Sequence, residues 1–535
     1  MKKQHIRLGL LTGVLALCLP AQAATEQDKA SSAILFQGFH WNSNALSTGW
    51  YADLQAKASD LKTLGVTHIW MPPASDAADN AGYLPRQLNK LDSKYGNEAA
   101  LSAALSAFNA QGIHPVADIV INHRVGTANW ADFTNPTWDC RAVVSGDEWT
   151  GRCGNADSGD GYAAARDLDH SQTFVQNDLK TWIGTRLKNI GFKGLRFDYS
   201  KGYGANYAKV YHDAMAPSFC VGEIWTDLNF NNVDAHRQGL MSFVDGTGGT
   251  CGAFDFTTKG LLNQALSANE YWRLKAADGK PQGGIGWWAQ KMVTFVDNHD
   301  TGPSESCGNG QSHWPVPCDK VMQGYAYILS HPGIPTVYYP HVYNWGLKND
   351  IKALIDARKA AGITSTSAVS IQKAETGLYA AIITGTQYQL AMKIGPNSWS
   401  PGAGWTVVTS GSNYSVWKKG AADTCLVNVS FSIANANTSF GENLYVVGND
   451  AAIGGWVTGS AYPLTIQGTG ANATWSGTTK LPCSTAIQYK YIKRNPPTGA
   501  VIWESNQATA SGNREFTSGA SNGSSQTRND GSFKF

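Results

Sequence analysis

The feature that most constrains this chain is a rhythm. Eight short apolar runs, Ile34–Phe36, Val66–Trp70, Val116–Ile121, Gly194–Phe197, Phe219–Val221, Ala253–Phe256, Val293–Val296 and Ile334–Tyr338, punctuate its first 340 residues. Between them lie longer stretches, such as 50–64 and 99–108, whose apolar residues recur at helical spacing. Strand and helix alternating about eight times predict an α/β fold with a parallel sheet and helical crossovers. A closed (β/α)8 TIM barrel and a doubly wound open sheet both satisfy that pattern, and the count points to the barrel. No strict repeat runs through the alternation, which argues against a solenoid or propeller.

The ends of these runs carry the chemistry. Val293–Val296 leads straight into Asp297, Asn298, His299 and Asp300, a cluster that is costly to bury without partners. Three other runs end the same way, in Asp118 with Asn122 and His123, in Arg196 with Asp198, and in Glu223. Strands of a parallel barrel all point one way, so these groups are expected at one rim, where such barrels place their catalysis. The polar cluster at 297–300 is therefore expected to face an open cleft rather than the core. Carboxylates gathered in one cleft suit glycosidic bond cleavage, one as nucleophile and one protonating the leaving oxygen. Arg196, two residues before Asp198 on an extended strand, projects to the same side and favours its ionised form. Singly, each group has a plainer reading: a structural ion pair, a solvated Glu, a helix cap. The set at the same end of different strands is what points to catalysis.

Residues 123–167 interrupt the alternation with a Gly-, Asp- and Trp-rich excursion, too long for an ordinary connection, and read as a small domain inserted in a barrel spanning 24–360. From 361 to 418 the texture becomes short alternating strands, predicting a small antiparallel β domain. After a hinge at 418–423, residues 424–535 read as a β-sandwich. The first 23 residues, with Lys2, Lys3 and Arg7 before an apolar run and Ala21-Gln22-Ala23 after it, read as a secretory signal too short to span a bilayer. No later stretch is apolar enough for a membrane. Removing the signal takes the formal charge from +2 to −1, which gives no footing to nucleic acid as a partner. Eight Cys remain, an even count that favours disulfides on an exported chain. Pairing nearest neighbours, one of several connectivities open to the sequence, gives Cys140–Cys153, Cys220–Cys251, Cys307–Cys318 and Cys425–Cys483.

Four segments, DIVINH at 118–123, GLRFDYSKG at 194–202, VGEIW at 221–225 and FVDNHD at 295–300, resemble the signature segments of the α-amylase family of glycoside hydrolases. The resemblance runs over most of 33–415. It implies Asp198 as nucleophile, Glu223 as general acid/base and Asp300 as transition-state stabiliser in a retaining hydrolysis of α-1,4-glucan. It implies that His123 and His299 hydrogen-bond the sugar beside the cleaved bond, that Tyr83 stacks on it, that Arg196 supports the nucleophile and that Lys201 contacts the leaving side. It further implies Ca²⁺, held by Asn122, Asp157, Asp160, Asp167 and the carbonyl of Gly202; from spacing alone the loop 155–161 reads first as Asx turns.

The tail resembles a C-terminal starch-binding module. Pyranose faces pack on flat aromatic rings, and the resemblance makes Trp456 and Trp503 a stacking platform with Lys490 and Asn506 bonding hydroxyls, while Trp475 belongs to the core. The expected partners are starch, amylose, amylopectin and maltooligosaccharides. The expected protein is a secreted monomer, cutting internal bonds and kept on its substrate by the tail. An exo-acting, maltotetraose-type enzyme is the alternative, because 323–330 and 338–345 resemble such bacterial enzymes, whereas 82–96 looks like plant-type α-amylases. A non-catalytic glucan-binding protein would be expected to lack a catalytic carboxylate, and all three are present. A cyclodextrin-forming transferase would carry another β domain, for which 418–423 leaves no room.

Overall fold

The computed structural model describes residues 31–535 apart from 129, 420–425, 440, 470–472, 496–499 and 522. The expected signal, most of the hinge and Cys425 of the fourth expected disulfide lie outside the described residues. The chain divides into two units, one ending at Lys418 and one beginning at Lys419.

The first unit is built on a closed barrel of eight strands: β1 Leu35–Gln37, β2 His68–Trp70, β3 His114–Ile119, β4 Gly194–Phe197, β5 Phe219–Gly222, β6 Gly252–Phe254, β7 Met292–Phe295 and β8 Ile334–Tyr338. Leu35 of β1 pairs with His68 of β2 on one side and Thr336 of β8 on the other, which closes the ring. The expected barrel therefore forms and the open sheet does not. Parallel strands covered on both faces are mostly apolar, which is why each reads as a short apolar run. The stretch 50–64 forms two helices, α1 Trp50–Ala56 and α2 Ala58–Leu64, meeting at Lys57. Helix α3, Glu98–Ala110, starts where the Asn97 side chain accepts the Ala100 amide at 2.9 Å.

In the insertion, His123–Arg124 pairs antiparallel with Arg166–Asp167, and Cys140–Cys153 staples the loops between. Cys220–Cys251 and Cys307–Cys318 are also bonded. Five antiparallel strands follow the barrel, β9 Ala368–Glu375, β10 Leu378–Thr384, β11 Gln389–Ile394, β12 Trp405–Gly411 and β13 Tyr414–Lys419, in the order β9-β10-β11-β13-β12.

The second unit packs two sheets. One holds β14 Leu426–Ala434, β16 Thr474–Pro482 and β20 Ser525–Ser532; the other holds β15 Asn443–Gly448, β17 Ala486–Arg494, β18 Val501–Trp503 and β19 Arg514–Thr517. Val427, Val429, Phe431 and Ile433 alternate inward from β14 against Leu444, Val446, Tyr489 and Tyr491, forming a core separate from the barrel's. Among the described residues no helix is long and apolar enough to cross a membrane.

Candidate active site

Parallel register sets the centre of the site. Asp118 on β3 lies opposite Arg196 on β4, and Phe197 lies opposite Gly222 on β5, so Asp198 and Glu223 emerge side by side. The Arg196 guanidinium joins them. Its Nη1 donates to Asp118 Oδ1 at 2.7 Å and Asp198 Oδ1 at 2.6 Å, and its Nη2 lies 2.7 Å from Glu223 Oε1. Asp118 is fully buried and also accepts from Trp70 Nε1 and the Tyr83 hydroxyl. Tyr199, next to Asp198, is held at φ 42 and donates its amide to Glu223 Oε2 at 3.1 Å. A bulky residue in the left-handed region costs on the order of 1–3 kcal/mol, and strain of that kind collects at working sites.

Asp300 enters from the end of β7, with its Oδ2 3.4 Å from His299 Nε2. It shares a cavity of about 290 Å³ with Tyr83, His123, Asp198, Glu223 and His299. A second cavity of about 410 Å³ begins at Tyr199, Glu223 and Trp225 and continues to Lys201, Thr226 and Asp227. The two cavities share Tyr199, Glu223 and Trp225 in their walls.

Three carboxylates touch one guanidinium, and Asp300 shares their cavity. Burial pushes Asp118 and Asp198 up, with Arg196 opposing it in both. Asp300 is pushed up to about 8 by burial, and the Glu223 charge adds to the shift. Burial works against the Arg196 charge, but Asp118, Glu223 and Asp198 outweigh it and hold the guanidinium protonated. Burial thus favours the neutral form of Asp118, Asp198 and Asp300, and the Arg196 charge opposes it in each.

The aromatic walls are tightly organised. Tyr83 lies 5.2 Å from the His299 ring at an interplanar angle of 17°, and Trp41 stacks parallel to Tyr83. Gly82 takes φ 93 beneath them, and a Cβ there would meet Pro73 at 2.7 Å. His123 donates from Nε2 to the Tyr83 carbonyl at 2.7 Å and stacks on Tyr162 at 4.1 Å. Burial pulls its pKa down to about 4, so it is neutral there.

The polar cluster at 297–300 is split, contrary to the expectation that all of it faces the cleft. His299 and Asp300 line the cavity. Asp297 turns into the core, where Lys259 Nζ donates to it at 2.7 Å, both side chains being 0% exposed. Asn298 is structural: its Oδ1 accepts the amides of Asp300 and Thr301. Gln37, Trp41, Tyr162 and Trp225 also belong to the site and were not singled out from the sequence. Gln37 and Trp41 follow the rule already used for the other strands, since they stand at and just past the end of β1.

The residues expected to hold a metal are only partly gathered. Asn122 Oδ1 is buried with no hydrogen-bond partner, and a Cβ on Gly202 would lie 2.0 Å from it. Asp167 accepts from Asn122 Nδ2 at 3.0 Å and is pushed up to about 6 by burial, with the charges of Asp157 and Asp147 adding. Asp157 is raised by burial too. Asp160 stands apart, 63% exposed and 3.7 Å from Lys201 Nζ. Among the described residues no group of three or more His, Cys, Asp or Glu side chains forms a ready-made cluster.

In the second unit Trp456 and Trp503 are among the exposed large apolar side chains, whereas Trp475 is buried in that unit's core. Trp456 takes φ 65 and donates its amide to the Gly448 carbonyl at the end of β15. Lys490 on β17 donates to Asn506 Oδ1 at 2.8 Å.

Comparison with known proteins accounts for all three regions. Residues 34–142 match the α-amylase catalytic domain, 360–418 the α-amylase C-terminal β-sheet domain and 426–527 a starch binding domain. The chain is 43% identical over 402 residues to probable α-amylase 2 of Arabidopsis thaliana, covering 72% of this chain and 94% of the relative. It is 30% identical over 551 residues to the glucan 1,4-α-maltotetraohydrolase of Roseateles saccharophilus, covering 94% of this chain and 96% of the relative. Among solved structures, a gamma-CGTase from alkalophilic Bacillus clarkii shares the fold with TM-score 0.54 at 16% identity, covering 94% of this chain and 99% of that one. A rim of carboxylates assembled from four strand ends, in a chain 43% identical to a probable plant α-amylase along nearly that protein's whole length, leaves one assignment: this chain belongs to the α-amylase family of glycoside hydrolases.

Proposed function

We propose that the protein hydrolyses internal α-1,4-glucosidic bonds of starch and related glucans with retention of configuration. One observation carries the reading: Asp198 and Glu223 sit on adjacent nitrogens of Arg196, in a cleft that runs on past Glu223. An Asp198 oxygen attacks the anomeric carbon while Glu223 gives its proton to the glycosidic oxygen, and the C–O bond breaks. Water then attacks the same carbon, Glu223 takes the proton back, and Asp198 leaves as carboxylate. Asp300 bonds sugar hydroxyls as positive charge develops at the ring, and Tyr83, His123, His299 and Lys201 orient the substrate. The second cavity, which adjoins the first at Glu223 and Trp225, supports internal cleavage, because it gives a chain room beyond the carboxylates.

Asn122, Asp157, Asp167 and the Gly202 carbonyl suit a Ca²⁺ ion, and the exposed Asp160 beside Lys201 would complete the set. An unpartnered buried amide oxygen beside the buried Asp167 carboxylate, with the half-buried Asp157, is a hard-oxygen donor set. Bound there, the ion would supply positive charge that ties the insertion to the strand carrying Asp198. In the tail, Trp456, Lys490, Trp503 and Asn506 would hold starch. The protein is read as an exported monomer, in keeping with its disulfides.

A second reading, release of maltotetraose from chain ends, is favoured by the relationship to a maltotetraohydrolase over nearly the whole chain. Chromatography of early products from end-labelled maltooligosaccharides separates the two. Mixed lengths support internal cleavage and a single product supports chain-end action. Starch release surviving Glu223→Gln overturns both.

A further inference from the structure

We propose that Gln37 is a positioning residue of the hydrolytic site, holding the His299 imidazole in the form that presents a proton on Nε2 to the cleft. The inference rests on the reading that His299 touches the sugar, and it concerns a residue that acts only through His299.

Gln37 ends β1 with its side chain wholly buried, and its Nε2 lies 2.9 Å from His299 Nδ1. The other ring nitrogen, Nε2, lies 3.4 Å from Asp300 Oδ2 at the cavity edge. Burial, with the Arg196 charge adding, holds His299 far below its ordinary range, so the ring is neutral and owns one proton. The question is which nitrogen has it.

Packing does not decide this. The ring lies between Tyr83 at 5.2 Å and Phe39 at 5.0 Å, with Trp70 edge-on at 5.3 Å. Aromatic contacts of this kind fix the ring plane but scarcely distinguish a nitrogen from a C–H on its edge. A half-turn about the Cβ–Cγ bond would keep the stack and point carbon at Asp300. Hydrogen bonds break that degeneracy. With the Gln37 amide donating, Nδ1 is the acceptor and the proton goes to Nε2, where Asp300 or a sugar hydroxyl can accept it. Asp300 requires the same arrangement whenever it is ionised, since a carboxylate can only accept.

Two substitutions test this. Gln37→Met keeps the length and removes the donor. Gln37→Glu, as a carboxylate, can only accept at Nδ1 and draws the proton there. The probe is long-range ¹H–¹⁵N correlation of ¹⁵N-histidine-labelled full-length protein, with His299 assigned by His299→Asn, alongside steady-state hydrolysis of a soluble maltooligosaccharide. The expected wild type has the Nε2–H pattern. Gln37→Glu should show the Nδ1–H pattern or a mixture and lose about tenfold or more in kcat/KM, and Gln37→Met should lose less, with a broadened His299 signal. An Nδ1–H pattern in the wild type overturns the proposal, and that spectrum needs no variant to fold. So does a Gln37→Glu protein that keeps the Nε2–H pattern, or one within twofold of wild type. Failure of the functional reading would look different, as wild-type protein without hydrolytic activity whatever the tautomer.

Discussion

The buried pair Lys259–Asp297 offers the sharpest test of how this fold supports its rim. Lys259 belongs to helix α4, Phe256–Ala268, and Asp297 stands between β7 and Asp300 in the cleft. Both side chains are fully buried, 2.7 Å apart. Burial pushes Asp297 up and Lys259 down, each opposed by the other's charge. Lys259→Met keeps most of the volume and removes the cation. Asp297 would then retain the Val316 amide at 3.2 Å, the Thr301 hydroxyl and, 3.9 Å away, the buried His341 ring. Breaking a buried pair by removing one partner costs about 3–5 kcal/mol, because the remaining charge is stranded. Without Lys259 the Asp297 pKa moves higher still, so its stabilisation is present below the ordinary carboxylate range and lost as pH rises. The penalty should therefore shrink on going from pH 8 to pH 5. Lys259→Met/Asp297→Asn leaves no charge to strand and should recover more than half of the loss. Urea unfolding, followed by loss of hydrolytic activity so that it reports on the catalytic unit, measures all three proteins. A single-variant loss below about 1 kcal/mol at pH 8, or a double variant no better than the single, refutes the reasoning.

Three further outcomes are expected. Asp300 has a folded pKa of about 8 against an ordinary 3.8, so the stability it contributes as a neutral acid is present below about pH 4 and lost as pH rises to about 8; Asp300→Asn should gain unfolding midpoint relative to wild type across that window while hydrolysis collapses, and parallel midpoint curves would contradict this. Trp503→Ala should weaken adsorption to granular starch about tenfold, the value of roughly 1.4 kcal/mol of lost stacking, with kcat on a soluble oligosaccharide unchanged. Chelation should lower the unfolding temperature of the catalytic unit and added Ca²⁺ should restore it, the gap corresponding to about 2.7 kcal/mol at a hundredfold excess over Kd; Asp167→Asn should narrow that gap, and an unchanged gap speaks against this residue as a ligand.

The barrel was legible because its strands have no polar face to hide. All eight apolar runs became β1 to β8, yet the boundaries moved where apolarity and pairing disagree. The run 116–121 suggested a strand starting at Val116, whereas β3 begins at His114, opposite His68 of β2. Val120 and Ile121 are buried all the same, beyond the last strand residue. Apolarity reports burial, and register reports neighbours, so one cannot give the other's limits. The same gap explains Lys57, where a continuous helical pattern over 50–64 breaks into α1 and α2 with no Gly or Pro to mark it.

The site was legible to the extent that it follows from strand ends. Asp198, Glu223, His299 and Asp300 each close a strand, and strand ends of a parallel barrel share a rim. Asp297 shows where that logic stops. Successive residues past a strand point in different directions, so of four polar neighbours one meets Lys259 in the core, one braces the turn and two reach the cleft. The deeper constraint is register. Arg196 touches Asp118, Asp198 and Glu223 because β3, β4 and β5 place Asp118 opposite Arg196 and Gly222 opposite Phe197. Slipping β4 by one residue would turn Arg196 to the other face, away from Asp118 and Glu223 on the neighbouring strands. The cation at the centre of the site is thus a product of the pairing that closes the barrel, and the buried carboxylates of Asp118, Asp198 and Glu223 are tolerable together only while that pairing holds.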